Sequence, residues 1–152
     1  MTNSLSEMFT KKIEGIHGVL LSLPESAADV PWRVGGWTRR EILGHMLDSA
    51  ANNHQRFVRA AIDGAYAGPT YKQQEWVDAH AYKDQPWQRL MNWWGSYHQI
   101  LAAVVAAIPE ERLESKCVVG GNPPVTLRFL IEDYIEHQLH HLRQITAALP
   151  TA

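Results

Sequence analysis

Eight prolines, at positions 24, 31, 69, 86, 109, 123, 124 and 150, are the strongest constraint on how this chain can fold. Proline lacks the backbone N–H and its ring collides with the preceding turn, so helix interiors exclude it. Long helices are therefore confined to the proline-free stretches 1–23, 32–68, 87–108 and 125–149. All four show helical periodicity. From Leu5 to Leu23, the residues Ile13, Ile16, Leu20 and Leu23 recur at three- and four-residue steps, after Ser4 and Glu7 in capping-box spacing. Thr38 and Glu41 form a second capping box. It opens a stripe of Leu43, Met46, Leu47, Ala50, Phe57, Val58 and Ala61, which Gly64 and Gly68 end. The third helix starts near Asp84 with Pro86 in its first turn. It keeps period through Trp87, Leu90, Met91, Trp94, Leu101, Val104, Val105 and Ile108, and stops at Pro109. The fourth starts at Thr126 and runs through Leu127, Ile131, Tyr134, Ile135, Leu142, Ile145 and Leu149. A short helix is expected around Gln74 to His80, whereas Cys117-Val-Val119 is too short to found a sheet.

These elements predict an all-α four-helix bundle forming a single domain over residues 1–152. The first two inter-helix connections, of roughly 14 and 20 residues, are too long for tight up-and-down turns, so at least one long crossover is expected. With 45% hydrophobic and 20% charged residues, the chain has enough apolar material for a core. A net charge of −2 gives no basic footprint for nucleic acid. The longest apolar run, Ile100 to Ile108, is nine residues, about half of a membrane span. Residues 1–10 lack a signal-peptide pattern, and with a single cysteine the expectation is a cytoplasmic protein with no membrane segment.

Eight histidines stand against that one cysteine, Cys117, so any chemistry in the chain falls first to histidine. His137 and His141 are an i, i+4 pair on the fourth helix, close enough for two imidazoles to share one metal ion. Such a pair also arises by chance in a histidine-rich chain. Gln138 after His137 excludes the HExxH zinc-protease pattern, and ExxH motifs on two helices, as a di-iron bundle needs, are missing. Asp133, His137, His141 and Gln144 share one row at the edge of the apolar stripe, with His140 beside it. His45, Asp48, Asn52, Arg56 and Arg59 fall opposite the apolar stripe of the second helix. Such a face is ordinarily a solvated one. The competing reading makes His45 a third ligand, with Gly44 clearing space beside it and Asp48 one turn on as an orienting acceptor. His54 and His98 lie on apolar stripes as packing residues, and His17 and His80 have no partner at metal spacing. Cys117 has no adjacent histidine and reads as structural. Six tryptophans are many for this length. Trp87 and Trp94 belong to the core and Trp93 does not, while Trp32, Trp37 and Trp76 lie in or beside linkers, where they pack, roof a pocket or meet a second subunit.

The segment Gly36-Trp37-Thr38-Arg39-Arg40-Glu41-Ile42-Leu43-Gly44-His45-Met46-Leu47-Asp48, continued by Asn52 and Arg56-Phe57, resembles the helix-2 motif of the DinB-like superfamily of metal-dependent four-helix bundles. Glu75-Trp76-Val77, Tyr82, Trp87, Leu90 and Trp93-Trp94 extend the likeness, and Asp133-Tyr134-Ile135-Glu136-His137, His140-His141 and Gln144-Ile145 complete it. The resemblance implies that family's bundle with an unusual crossover, often as a homodimer. It implies a divalent ion, zinc or nickel in most members, held by His45, His137 and His141, with Asp48, Asn52, Asp133 and His140 around it. It further implies a small-molecule substrate: transfer of a low-molecular-weight thiol to an electrophile, or hydrolysis. No catalytic residue beyond the ligands is singled out. The alternative from another class is a metal- or small-molecule-binding stress protein without turnover. If the chemistry is thiol transfer, the thiol comes from the substrate rather than from Cys117.

Overall fold

The computed structural model describes residues 3–147. Five helices, α1 (Ser4–Ser22), α2 (Arg39–Asp63), α3 (Gln73–His80), α4 (Trp87–Ala107) and α5 (Leu127–Ile145), dominate the chain. The four long ones form the expected bundle, and α3 is the short helix of the second connection. Leu149 of the expected last helix lies outside the described residues. The Thr38–Glu41 capping box is present, and Gly64 ends α2 in the left-handed conformation at φ 76°. The cap of α1 differs from expectation: Asn3, not Ser4, accepts from the Ser6 amide. Asn is as good an N-cap as Ser, and it stands one residue earlier. No helix among the described residues is long and apolar enough to cross a membrane.

Helix directions follow from buried polar contacts. Arg39, at the start of α2, donates to the Ile145 carbonyl at the end of α5 (2.6 Å), so these helices are antiparallel. Gln138 of α5 donates to the Met46 carbonyl of α2 and accepts from Trp94 Nε1 of α4. Further down, Tyr134 of α5 meets Phe57 of α2 and His98 of α4. Both α2 and α4 therefore descend as α5 ascends, and the segment between them has to climb back along the bundle. This is the crossover that the connection length predicted. In the ring of helices, α1 packs on α4 and α5, and α2 packs on the same two. The core is mainly apolar, centred on Phe9, Leu20, Leu43, Leu47, Phe57, Trp94, Leu101 and Ile135, with Gln138 and His98 as polar members.

One expectation fails. Lys116–Val119 (β2) does found a sheet, pairing in parallel with Ala65–Gly68 (β1) and antiparallel with Val125–Thr126 (β3). Its partner strand comes from the far end of α2, so no local hairpin pattern announces it, and Gly68 sits in β1 rather than ending a helix. Cys117 lies in β2, fully buried, with burial raising its thiol pKa. That placement fits the structural role read from sequence.

Candidate metal centre

His45 projects from the second turn of α2, and His137 and His141 from successive turns of α5. Two contacts place these helices in register. The buried Arg39 guanidinium spans the carbonyls of Ile145, Ala147, Val30 and Pro31, tying the start of α2 to the end of α5. Gln138 then bridges α5 to α2 and α4 at the level of the histidines. As a result His45 Nε2 lies 3.1 Å from His141 Nε2, which lies 3.2 Å from His137 Nε2. Among the described residues, this is the set of three histidine, cysteine or acidic side chains whose ligand atoms converge within 4.8 Å.

The donor set fits a transition-metal ion. His141 Nδ1 faces Gln144 Oε1 at 2.8 Å, which keeps the proton on Nδ1 and leaves Nε2 bare toward the other two rings. Burial, followed by the charges that His141 and His137 would carry, pushes His45 down to about 3. Burial likewise pushes His141 down to about 4, and His137 is lowered by burial and by His140, against the pull of Asp133. All three imidazoles are neutral at pH 7, the state in which they can ligate. A tetrahedral zinc site with bonds of 2.0–2.1 Å spaces its nitrogens about 3.3 Å apart, close to the two distances that His141 makes here. His45 Nδ1, by contrast, is buried with no partner.

These depressed values have a consequence for the metal-free protein. In the unfolded chain the same histidines titrate near 6.5. Between there and about 3–4 the unfolded state binds protons that the folded state refuses, so stability falls as the pH falls. Urea unfolding in chelator is expected to show full stability above pH 6.5 and progressive loss down to pH 4. A flat profile across that range would contradict the burial of neutral imidazoles.

The neighbouring residues divide differently from the sequence reading. Asp48 is buried, but the imidazole it meets is His80, at 3.1 Å, not His45. The same oxygen accepts from the Tyr82 hydroxyl at 2.6 Å, while its second oxygen has no partner. Burial raises the Asp48 pKa, with the Tyr82 bond and His80 pulling the other way. Asn52 donates to the Asp48 carbonyl of its own helix and lines neither cavity at the centre. His140 is exposed, its ring 5.1 Å from that of His141. Asp133 is exposed and lines the cavity beside His137. The α2 face carrying His45, Asp48 and Arg56 is buried rather than solvated, because α3, β1 and the crossover cover it. His98 is a core residue: its Nδ1 donates to the Trp94 carbonyl and its Nε2 accepts from Tyr134.

Sequence reasoning missed His80 and Tyr82. Gly44 was the available signal for Tyr82. A Cβ there would stand 2.1 Å from the Tyr82 ring, so the space beside His45 is taken by that ring. For His80 the sequence holds no equivalent sign, since its partner is 32 residues away across the crossover.

Two cavities flank the histidines. One, of about 460 Å³, runs from His137 past Tyr134, Leu130 and Phe129 to Arg56, Asn53 and Tyr71. The other, of about 330 Å³, reaches His141 and Gln144 beneath Trp32 and Trp37. Trp37 packs against the His45 ring at 4.9 Å and donates to Gln74, so these two linker tryptophans roof a pocket. Trp76 instead packs on Tyr71 and His80.

Known proteins are similar to this chain in sequence and in fold. A Bacillus cereus protein named "putative metal-dependent hydrolase" is 26% identical over 151 residues, covering 97% of this chain and 87% of the relative. A Bacillus anthracis protein of the same name matches to the same extent. YfiT from Bacillus subtilis, described as "a probable metal-dependent hydrolase with an unusual four-helix bundle topology", has the same fold. Its TM-score is 0.83 at 20% identity, over 96% of this chain and 86% of that one. The family model of the DinB superfamily runs over residues 8–145, through both histidine-bearing helices, and the chain belongs to that superfamily.

Proposed function

We propose that this chain is a metal-dependent hydrolase of a small substrate, with His45, His137 and His141 holding one divalent ion. The observation that carries the reading is the convergence of three neutral imidazole nitrogens, at 3.1 and 3.2 Å, beside a cavity of about 460 Å³. The names of the relatives point the same way. Held by these three neutral imidazoles, a divalent ion would supply a Lewis acid and would lower the pKa of water toward neutrality. Imidazole suits zinc and nickel alike.

The chain's own residues supply the rest. Gln144 fixes the His141 tautomer, so that Nε2 faces the centre. Trp37 covers His45 and excludes water from that side. Val119, Val125, Phe129 and Leu130 offer an apolar wall for the body of a substrate whose reacting bond lies at His137. Asp48 is a positioning residue: through Tyr82 and His80 it holds the crossover against α2, one turn from His45.

Transfer of a low-molecular-weight thiol is the competing chemistry for the same ligand set, and one experiment separates the two. Zinc-loaded protein is assayed on a panel of small esters and amides, and on a thiol plus an electrophile, each against His137→Ala. Hydrolysis that disappears in the variant is expected. Equal rates in the two proteins would sink the catalytic reading, and variant-sensitive activity only with the thiol would replace hydrolysis by transfer.

A further inference from the structure

Arg56 has a place in the large cavity that the proposed metal chemistry does not explain. It is only 8% exposed, yet among the described residues no carboxylate pairs with it. A guanidinium carries five N–H donors. Here one is given to the Pro69 carbonyl at 3.2 Å, and a second, at 3.5 Å, reaches Asn53 Oδ1. Asn53 is itself fixed by donating to the Ser49 carbonyl and hydroxyl, so the guanidinium is held in place while donors stay unclaimed. A buried charge without a partner is costly, and structures ordinarily pair it.

The cavity supplies the missing half of that pair. Arg56 and His137 both line it, together with the apolar side chains of Val119, Val125, Phe129 and Leu130. Arg56 follows His45 by eleven residues, about 16 Å along the helix. The acidic group of the lining, Asp133, is exposed, lies one turn before His137 on α5, and makes no ion pair with Arg56. We propose that Arg56, held by Asn53 and the Pro69 carbonyl, is a subsite for the carboxylate of an elongated substrate. The apolar body of that substrate fills the cavity and its reacting group lies at His137. Planar, two-toothed recognition by a fixed guanidinium favours a carboxylate. This inference rests on the hydrolase reading for the position of the reacting group, but the subsite itself does not need the metal.

The test compares 4-phenylbutyrate with its uncharged amide, by titration into zinc-loaded protein and into metal-free His137→Ala protein. The acid is expected to bind about tenfold or more tightly than the amide in both proteins. Arg56→Gln should abolish the preference and Arg56→Lys should restore part of it. In the wild type, the Arg56 Nε–H resonance should shift with the acid and not with the amide, a readout that stands even if the glutamine variant folds poorly. Equal affinity for acid and amide, no binding of either, an unmoved Arg56 resonance, or an acid preference that survives Arg56→Gln would each overturn the subsite. Absence of hydrolysis would count against the proposed function and leave the acid-over-amide result untouched.

Discussion

A His45→Ala chain is expected to bind zinc at least 100-fold more weakly than the wild type, judged by competition with a chelator and by metal content after dialysis. The magnitude follows from what remains. Loss of a mere supporting partner behind a ligand costs about 10- to 100-fold in affinity, and this variant loses a ligand. His137 and His141 lie on one helix, and without His45 nothing from α2 closes the site. The remaining pair resembles the isolated i, i+4 couple that any histidine-rich helix can present. Exposed His140, on the same helix, makes the sharper comparison. Its ring lies beside the triad, but it is not among the converging ligand atoms, so His140→Ala should leave affinity near wild type. Affinity unchanged by His45→Ala would mean that the ion sits elsewhere.

Gly44→Ala is expected to destabilise the protein by about 2 kcal/mol or more, against the usual direction for such a change. In an exposed helix interior, alanine for glycine gains about 0.8–1 kcal/mol. At Gly44 the new methyl would stand 2.1 to 2.6 Å from three atoms of the Tyr82 ring, which is buried at 2% exposure. Forcing a packed ring aside costs about 1–3 kcal/mol. It also breaks the bond from the Tyr82 hydroxyl to Asp48, leaving a buried carboxylate with fewer partners, at about another 1–3 kcal/mol. The losses exceed the propensity gain. Denaturant unfolding measures the difference, and a Gly44→Ala protein as stable as the wild type would show that the Tyr82 ring is not held as described.

Much of this architecture was legible because helices are local. Proline positions, caps and apolar period bounded four of the five helices, since each depends on residues within a turn or two of one another. The triad was legible for a related reason: His137 and His141 are neighbours on one helix, and the motif around His45 carried the third member. What could not be read depends on pairing across the crossover. Strand β2 needed Ala65–Gly68, some fifty residues earlier, and it shows no alternation of its own. Asp48 was read as a partner for a nearby imidazole and has one, but it is His80, delivered by α3. On helical periodicity alone Arg56 falls on a face that is ordinarily solvated. It is buried because α2 is covered on more sides than one apolar stripe implies. Asn53, a neighbour of the expected Asn52, reaches the cavity because a step of one residue turns a helical side chain by about 100°.

The central claim is that three histidines from two helices hold one ion, and X-ray absorption at the zinc edge of the loaded, full-length chain tests it most directly. The expected spectrum shows about one zinc per chain, with three imidazole nitrogens near 2.0–2.1 Å, a light-atom scatterer completing the shell, and no sulfur. A sulfur shell near 2.3 Å would bring in Cys117, which is buried in β2 away from the triad. That result, or fewer than three imidazoles around the ion, would contradict the site.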